Sequence, residues 1–198
     1  MAKNFKSKAE PETVLDTSSG NDAQDPAIKD TKYTKGGFKD GVYVNDYAKI
    51  KMNIPGGMQA FPLETGTKEE RIAQLTDEKD ISREKSLIYD AQFGNPKEGV
   101  FIIFINTKIG FPGNANVTEE NVLDYFKTWI RSQAKTRWQE RKKVSLGKQE
   151  FYRDVCRYNE TSIDCLYTRK LDDDLMCGIY VRTNDPDRTP EYYEKLFC

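Results

Sequence analysis

Six consecutive residues, Val100-Phe101-Ile102-Ile103-Phe104-Ile105, leave no polar face. A strand of that length with both faces apolar must be covered on both sides, so it predicts the centre of a sheet with something packed above and below it. Around it the patterning has a period of two. Ala48, Ile50, Met52 and Ile54 alternate with Lys49, Lys51 and Asn53, and Leu87, Tyr89, Ala91 and Phe93 alternate again. These runs read as half-buried strands. Pro55-Gly56-Gly57 stops the first, and the cluster from Gly94 to Gly99 turns the second. The runs Phe151–Tyr158, Ile163–Leu171 and Leu175–Thr183 are divided by Asn159-Glu160-Thr161-Ser162 and Asp172-Asp173-Asp174, the pattern of an antiparallel meander.

Helical spacing appears in three places. Thr67-Lys68-Glu69-Glu70 has the form of a capping box ahead of Ile72 and Leu75. Thr118 can cap a longer helix with Glu119 and Glu120 at its positive end and Val122, Phe126, Trp129 and Ile130 along one face. Pro190 opens a last short helix through Phe197. The resulting order β-β-α-β-β-α-β-β-β-β-α predicts an α+β fold, an antiparallel sheet with helices packed on it.

Composition divides the 198-residue chain in two. Residues 1–40 hold seven Lys and seven Asp or Glu, with Phe5, Val14, Leu15 and Ile28 scattered without period. Such a segment buries too little surface to offset ordering its backbone, so it predicts a disordered polar stalk ahead of a single domain at 41–198. Met1-Ala2-Lys3-Asn4 leads into no apolar signal region, which leaves two alternatives: a cytoplasmic chain, or an exported one whose signal peptide is gone.

There is no histidine. Imidazole general bases, Ser–His and Cys–His nucleophile pairs, and imidazole metal sites are thereby excluded. A formal net charge of -1 makes the whole molecule no polycation for nucleic acid. Residues 127–157 are locally basic, with ten Lys or Arg against three acids. Lys127, Arg131, Lys135, Arg137, Arg141, Lys142 and Lys143 are therefore the candidate for an anionic-surface patch, against the alternative of a solvated helix face and strand edge.

The four cysteines match no zinc spacing. A two-residue hairpin loop at Glu160-Thr161 would set Cys156 opposite Cys165 at a non-hydrogen-bonded position, with Arg157 opposite Asp164, a register compatible with a cross-strand disulfide. Cys177 and Cys198 would form a second bridge if the last helix folds over the last strand. The alternative is reduced thiols packed as small apolar groups.

Several phrases together resemble a family of lipoprotein-like domains of Gram-positive gut bacteria that have the fold of the photosystem protein PsbP. They are Gly41-Val42-Tyr43-Val44-Asn45-Asp46-Tyr47, then Lys51-Met52-Asn53-Ile54-Pro55-Gly56-Gly57, the turn Val144 to Tyr152, Tyr167-Thr168-Arg169-Lys170, and Cys177-Gly178-Ile179-Tyr180. Met58 stands where the family usually has Trp, and the loop 59–86 is polar. The resemblance implies a PsbP-like domain behind a signal peptide, a lipid-anchored cysteine and a stalk. It brings no catalytic residues and no cofactor, and relatives of this fold act as binding or assembly factors. The expectation is thus a non-enzymatic, monomeric, cell-surface domain binding a protein or envelope component, with no metal or nucleic acid and a membrane contact only through the removed lipid anchor. The competing readings are an intracellular adaptor, chaperone or immunity-type protein and, third, a histidine-independent enzyme.

Overall fold

The computed structural model describes residues 25–61, 68–131, 137–158, 161–172 and 174–198. The fold is α+β and antiparallel throughout. A small sheet holds β1 (Gly37–Lys39), β2 (Val42–Asn45) and β3 (Ile50–Asn53) in sequential order. The large sheet contains β4 (Gln59–Ala60), β5 (Leu87–Asn95), β6 (Glu98–Asn106), β7 (Arg137–Trp138), β8 (Lys142–Leu146), β9 (Gln149–Arg157), β10 (Ile163–Lys170) and β11 (Leu175–Thr183). Its order is β4-β5-β6-β11-β10-β9-β7, with β8 also on β9. The doubly apolar run is β6, flanked by β5 and β11 and covered on both faces, as the sequence requires.

Each face of the large sheet carries its own core. On one, Ile102, Phe104, Val155, Cys165, Tyr167, Cys177 and Ile179 meet Tyr43, Ile50 and Met52 of the small sheet, with Tyr193 and Phe197. Tyr193 belongs to α5 (Pro190–Glu194), which Thr189 caps. Buried polar side chains hold this helix to the sheet. Tyr193 donates to Glu98 at 2.5 Å, and Arg153 donates to Glu191 and Glu194 at 3.1 and 2.5 Å. The chain end then joins the free edge of β3, where the Cys198 amide donates to the Lys51 carbonyl at 2.9 Å.

On the other face Ile103, Ile105, Leu166 and Met176 pack against Val122, Leu123 and Phe126. Those three lie on α4 (Glu119–Arg131), whose start has Thr118 and Asn121 exchanging hydrogen bonds. The short helices α1 (Lys68–Ala73), α2 (Glu78–Ser86) and α3 (Thr107–Gly110) complete the layer. α2 falls in the stretch 59–86 expected to be loop; Asp77 caps it by accepting from the amides of Lys79 and Asp80. Thr67 of the expected capping box lies outside the described residues.

The domain begins earlier than Gly41. Residues 1–24 lie outside the described part, but of 25–40, expected to belong to the stalk, the part up to Gly36 is held to the large sheet and Gly37–Lys39 form β1 of the small one. Ala27 is 0% exposed, its carbonyl accepts from Asn106 at 3.0 Å, and Asp25 pairs with Lys68 at 2.8 Å. The Tyr33 ring packs edge-on against Phe104. Gly41 is the second residue of a two-residue hairpin turn, Asp40-Gly41, with both φ positive (52° and 75°). That Asp-Gly pair is a strong hairpin signal, and a boundary at Gly41 cuts through it.

Candidate functional site

The hairpin joining β9 to β10 decides which side chains can meet. Ile163 pairs with Arg157, and Cys165 with Val155, so paired positions sum to 320 and not 321. Three residues, 159–161, separate Tyr158 from Ser162; 159 and 160 lie outside the described residues. A one-residue slip turns every side chain to the other face. Cys156 therefore packs on the α4 side and Cys165 on the opposite side, which rules out the expected bridge. Cys177 is buried in β11 while Cys198 is exposed at the chain end, and all four cysteines are free. Burial raises the Cys165 thiol to about 12 and pushes Cys177 higher still. Native protein should expose one reactive thiol to a disulfide reagent, Cys198, and denatured protein four. Two or more fast native thiols would contradict the buried placements.

The basic residues do not form one surface. Lys127 pairs with Asp154 at 2.9 Å; Arg141 reaches Asp154 at 2.8 Å and Asp124 at 2.6 Å; Lys143 pairs with Glu150 at 2.8 Å. Strand alternation separates Lys142, opposite Arg153, from Lys143, opposite Tyr152. Arg137 is exposed opposite Arg157, while Lys135 and the Arg131 side chain lie outside the described residues. Lys127 and Arg141 tie α4 and the β7–β8 connection to β9. Their charge, like that of Lys143, is met within the molecule, which takes three of the seven residues out of the expected anion-binding patch.

The true register builds a different cluster. Asp164 faces Arg182 across β10 and β11, instead of Arg157 across β9. Its carboxylate accepts from Arg182 Nε and Nη2, both at 3.0 Å, from Tyr158 at 2.6 Å and from Tyr180 at 2.9 Å. Three of the four donors share Oδ2 and the fourth, Arg182 Nε, reaches Oδ1. One strand pair further along, Phe101 of β6 lies beside Tyr180, with ring centroids 5.5 Å apart. Gly99 precedes Phe101 on the same face and sits opposite Arg182; a Cβ there would press on the Phe101 ring at 3.2 Å. Gly99 thus leaves room for the Phe101 ring, and two half-buried rings lie beside an exposed guanidinium.

The electrostatics are those of a fixed, non-titrating surface. Burial first, and then Asp164, push the Tyr158 and Tyr180 hydroxyls well above the ordinary phenol range. The Asp164 hydrogen bonds hold Arg182 firmly cationic. Asp164 is 1% exposed and Arg182 47% exposed in their side chains. The buried carboxylate thus orients a cation that faces water. Among the described residues no group of three or more His, Cys, Asp or Glu side chains is placed to hold a metal ion.

None of Phe101, Tyr158, Asp164, Tyr180 or Arg182 stood out from the sequence as a site. The available signal was Asp164 in the otherwise apolar start of β10, and it points to Arg182 only once the β10–β11 register is known.

No described helix is long and apolar enough to cross a membrane. No family model matches the chain. No curated protein matches it either. Among solved structures it is similar to a protein of Bacteroides thetaiotaomicron VPI-5482, known from a crystal structure at 1.50 Å resolution. The identity is 12% and the TM-score 0.42, over 80% of this chain and 47% of that one, so this chain spans about half the length of its counterpart.

Proposed function

We propose that this chain is a non-catalytic binding domain that docks a protein through the sheet face bearing Phe101, Tyr158, Tyr180 and Arg182. The observation that carries the reading is the Asp164 cluster: a buried carboxylate takes four hydrogen bonds, all from an exposed arginine and two tyrosines that it orients. Arginine and tyrosine fixed in advance, beside half-buried rings, have the composition of an interface centre and lose little side-chain entropy on binding. Catalysis is disfavoured by the way the buried acids are used. Glu84, Asp90, Glu98, Asp154 and Asp164 each accept from neighbouring side chains. The resemblance to PsbP-like lipoprotein domains adds the finer proposal of an exported, lipid-anchored protein at the cell surface.

The test is a photo-crosslinking amino acid at position 101, with position 44 on the small sheet as control. The reading expects a discrete adduct of one protein, identified by mass spectrometry, from position 101 only. Equal yields at the two positions, or none at 101, would refute it. For the location, protease added to intact cells of the native host should remove the protein; full protection would place it inside.

A further inference from the structure

We infer that Arg182 receives a carboxylate from an acidic segment of the partner protein, whose adjoining apolar side chain lies on Phe101 and Tyr180. This rests on the docking role proposed above and specifies its chemistry. Arg182 gives Nε and Nη2 to Asp164, and Nη1 makes no hydrogen bond among the described residues. The Tyr158 and Tyr180 hydroxyls have already donated to Asp164, so Nη1 and the second N–H of Nη2 are the donors left to this cluster.

Charge complementarity sets the ligand. The anion of the Asp164–Arg182 pair is buried, while the cation is 47% exposed, so of this pair a partner meets the positive charge. A guanidinium takes carboxylates through charge-assisted hydrogen bonds, and one already held on two atoms has little freedom left to lose. Gly99, opposite Arg182, adds no side chain of its own between the cation and the Phe101 and Tyr180 rings, so an apolar group on those rings lies next to the guanidinium. Asp164 is in this account a positioning residue. Removing a carboxylate from water is costly, and an apolar cross-strand pair would serve stability as well.

The probe is the peptide acetyl-Phe-Glu-Phe-Glu-amide, with its Gln-for-Glu counterpart, titrated into the ¹⁵N-labelled full chain. The acidic peptide should shift the Arg182 Nε–H resonance and the amides of Gly99, Phe101 and Tyr180 saturably, and bind roughly tenfold more tightly than the neutral one. R182Q should abolish that preference, and moderate salt should erode it in the unmodified chain, a readout that survives a misfolded variant. Equal binding of both peptides at this face would overturn the carboxylate inference and leave the docking role standing. No shift at the face with either peptide, or a preference for an alginate oligomer over the acidic peptide, would also overturn it. Failure of the docking role itself is read separately, from the crosslinks at position 101.

Discussion

Asp90→Ala should lower the unfolding free energy by about 3–5 kcal/mol and open the segment 25–40 to trypsin at Lys29, Lys32 and Lys35. Asp90 sits on β5 at a break in the β5–β6 register and is 3% exposed. Its carboxylate accepts from the Tyr33 hydroxyl at 2.5 Å, the Gly36 amide at 2.9 Å and the Tyr43 hydroxyl. Two of those donors belong to the strap and the third to β2, so one side chain fastens the strap and the small sheet to the large one. Alanine leaves all three donors facing a void, each costing about 1–3 kcal/mol if it stays buried. Small domains have only about 5–15 kcal/mol to lose. Urea unfolding gives the loss, and the digestion rate in native buffer shows whether the strap opens first. Should Asp90→Ala fail to fold, Tyr33→Phe removes one donor at about 1 kcal/mol and should still quicken cleavage at the three lysines. Unchanged protection in Tyr33→Phe and an Asp90→Ala loss below about 1 kcal/mol would show that the strap is held by its apolar contacts at Ala27 and Tyr33.

The strap also marks where a sequence stops being legible. Every strand that alternates or is wholly apolar could be placed, because burial writes itself into the chain at period two. Residues 25–40 write nothing comparable. Their attachment to the large sheet rests mainly on one buried methyl at Ala27, one ring at Tyr33, and hydrogen bonds to Asp90 and Asn106, partners more than fifty residues away. β1 is exposed at all three positions and has no period to find. The candidate site failed to show for a different reason. Its residues lie in correctly placed strands, but which of them meet depends on two registers. The β9–β10 loop sets where Tyr158 lies, and the β10–β11 turn sets Arg182 opposite Asp164. The charge complementarity of Arg157 with Asp164 favours a two-residue β9–β10 loop, and no local pairing rule opposes it. The three-residue loop is fixed by the burial of Val155 beside Cys165 and Tyr167 on one face, a property of the assembled sheet.

The network joining α4 to β9 should respond oppositely to partial and to complete removal. Asp154 is 0% exposed and accepts from Lys127 at 2.9 Å and from Arg141 at 3.0 and 2.8 Å. Asp154→Ala leaves two half-buried cations facing each other with no anion between them, at a cost of about 3–5 kcal/mol. The triple change Lys127→Met, Arg141→Met and Asp154→Leu removes the charges and their desolvation together, and should be neutral or stabilising by up to about 4 kcal/mol. Acidity supplies an independent check. Burial pushes the Asp154 carboxyl up, but the Arg141 and Lys127 hydrogen bonds outweigh it and hold the group below its ordinary value of 3.8. A carboxylate depressed in the folded state contributes stability that is complete above its unfolded pKa near 4 and is lost as pH falls through the folded value. The unmodified protein should therefore lose stability as pH falls below about 4, and the triple variant should lose less of it. Some acid sensitivity must persist, since Asp172 and Glu191 are depressed as well. Thermal midpoints of the three proteins from pH 7 to pH 2 decide the matter. If Asp154→Ala and the triple variant are equally destabilised at pH 7, the loss comes from packing between α4 and β9 and the account based on charge fails.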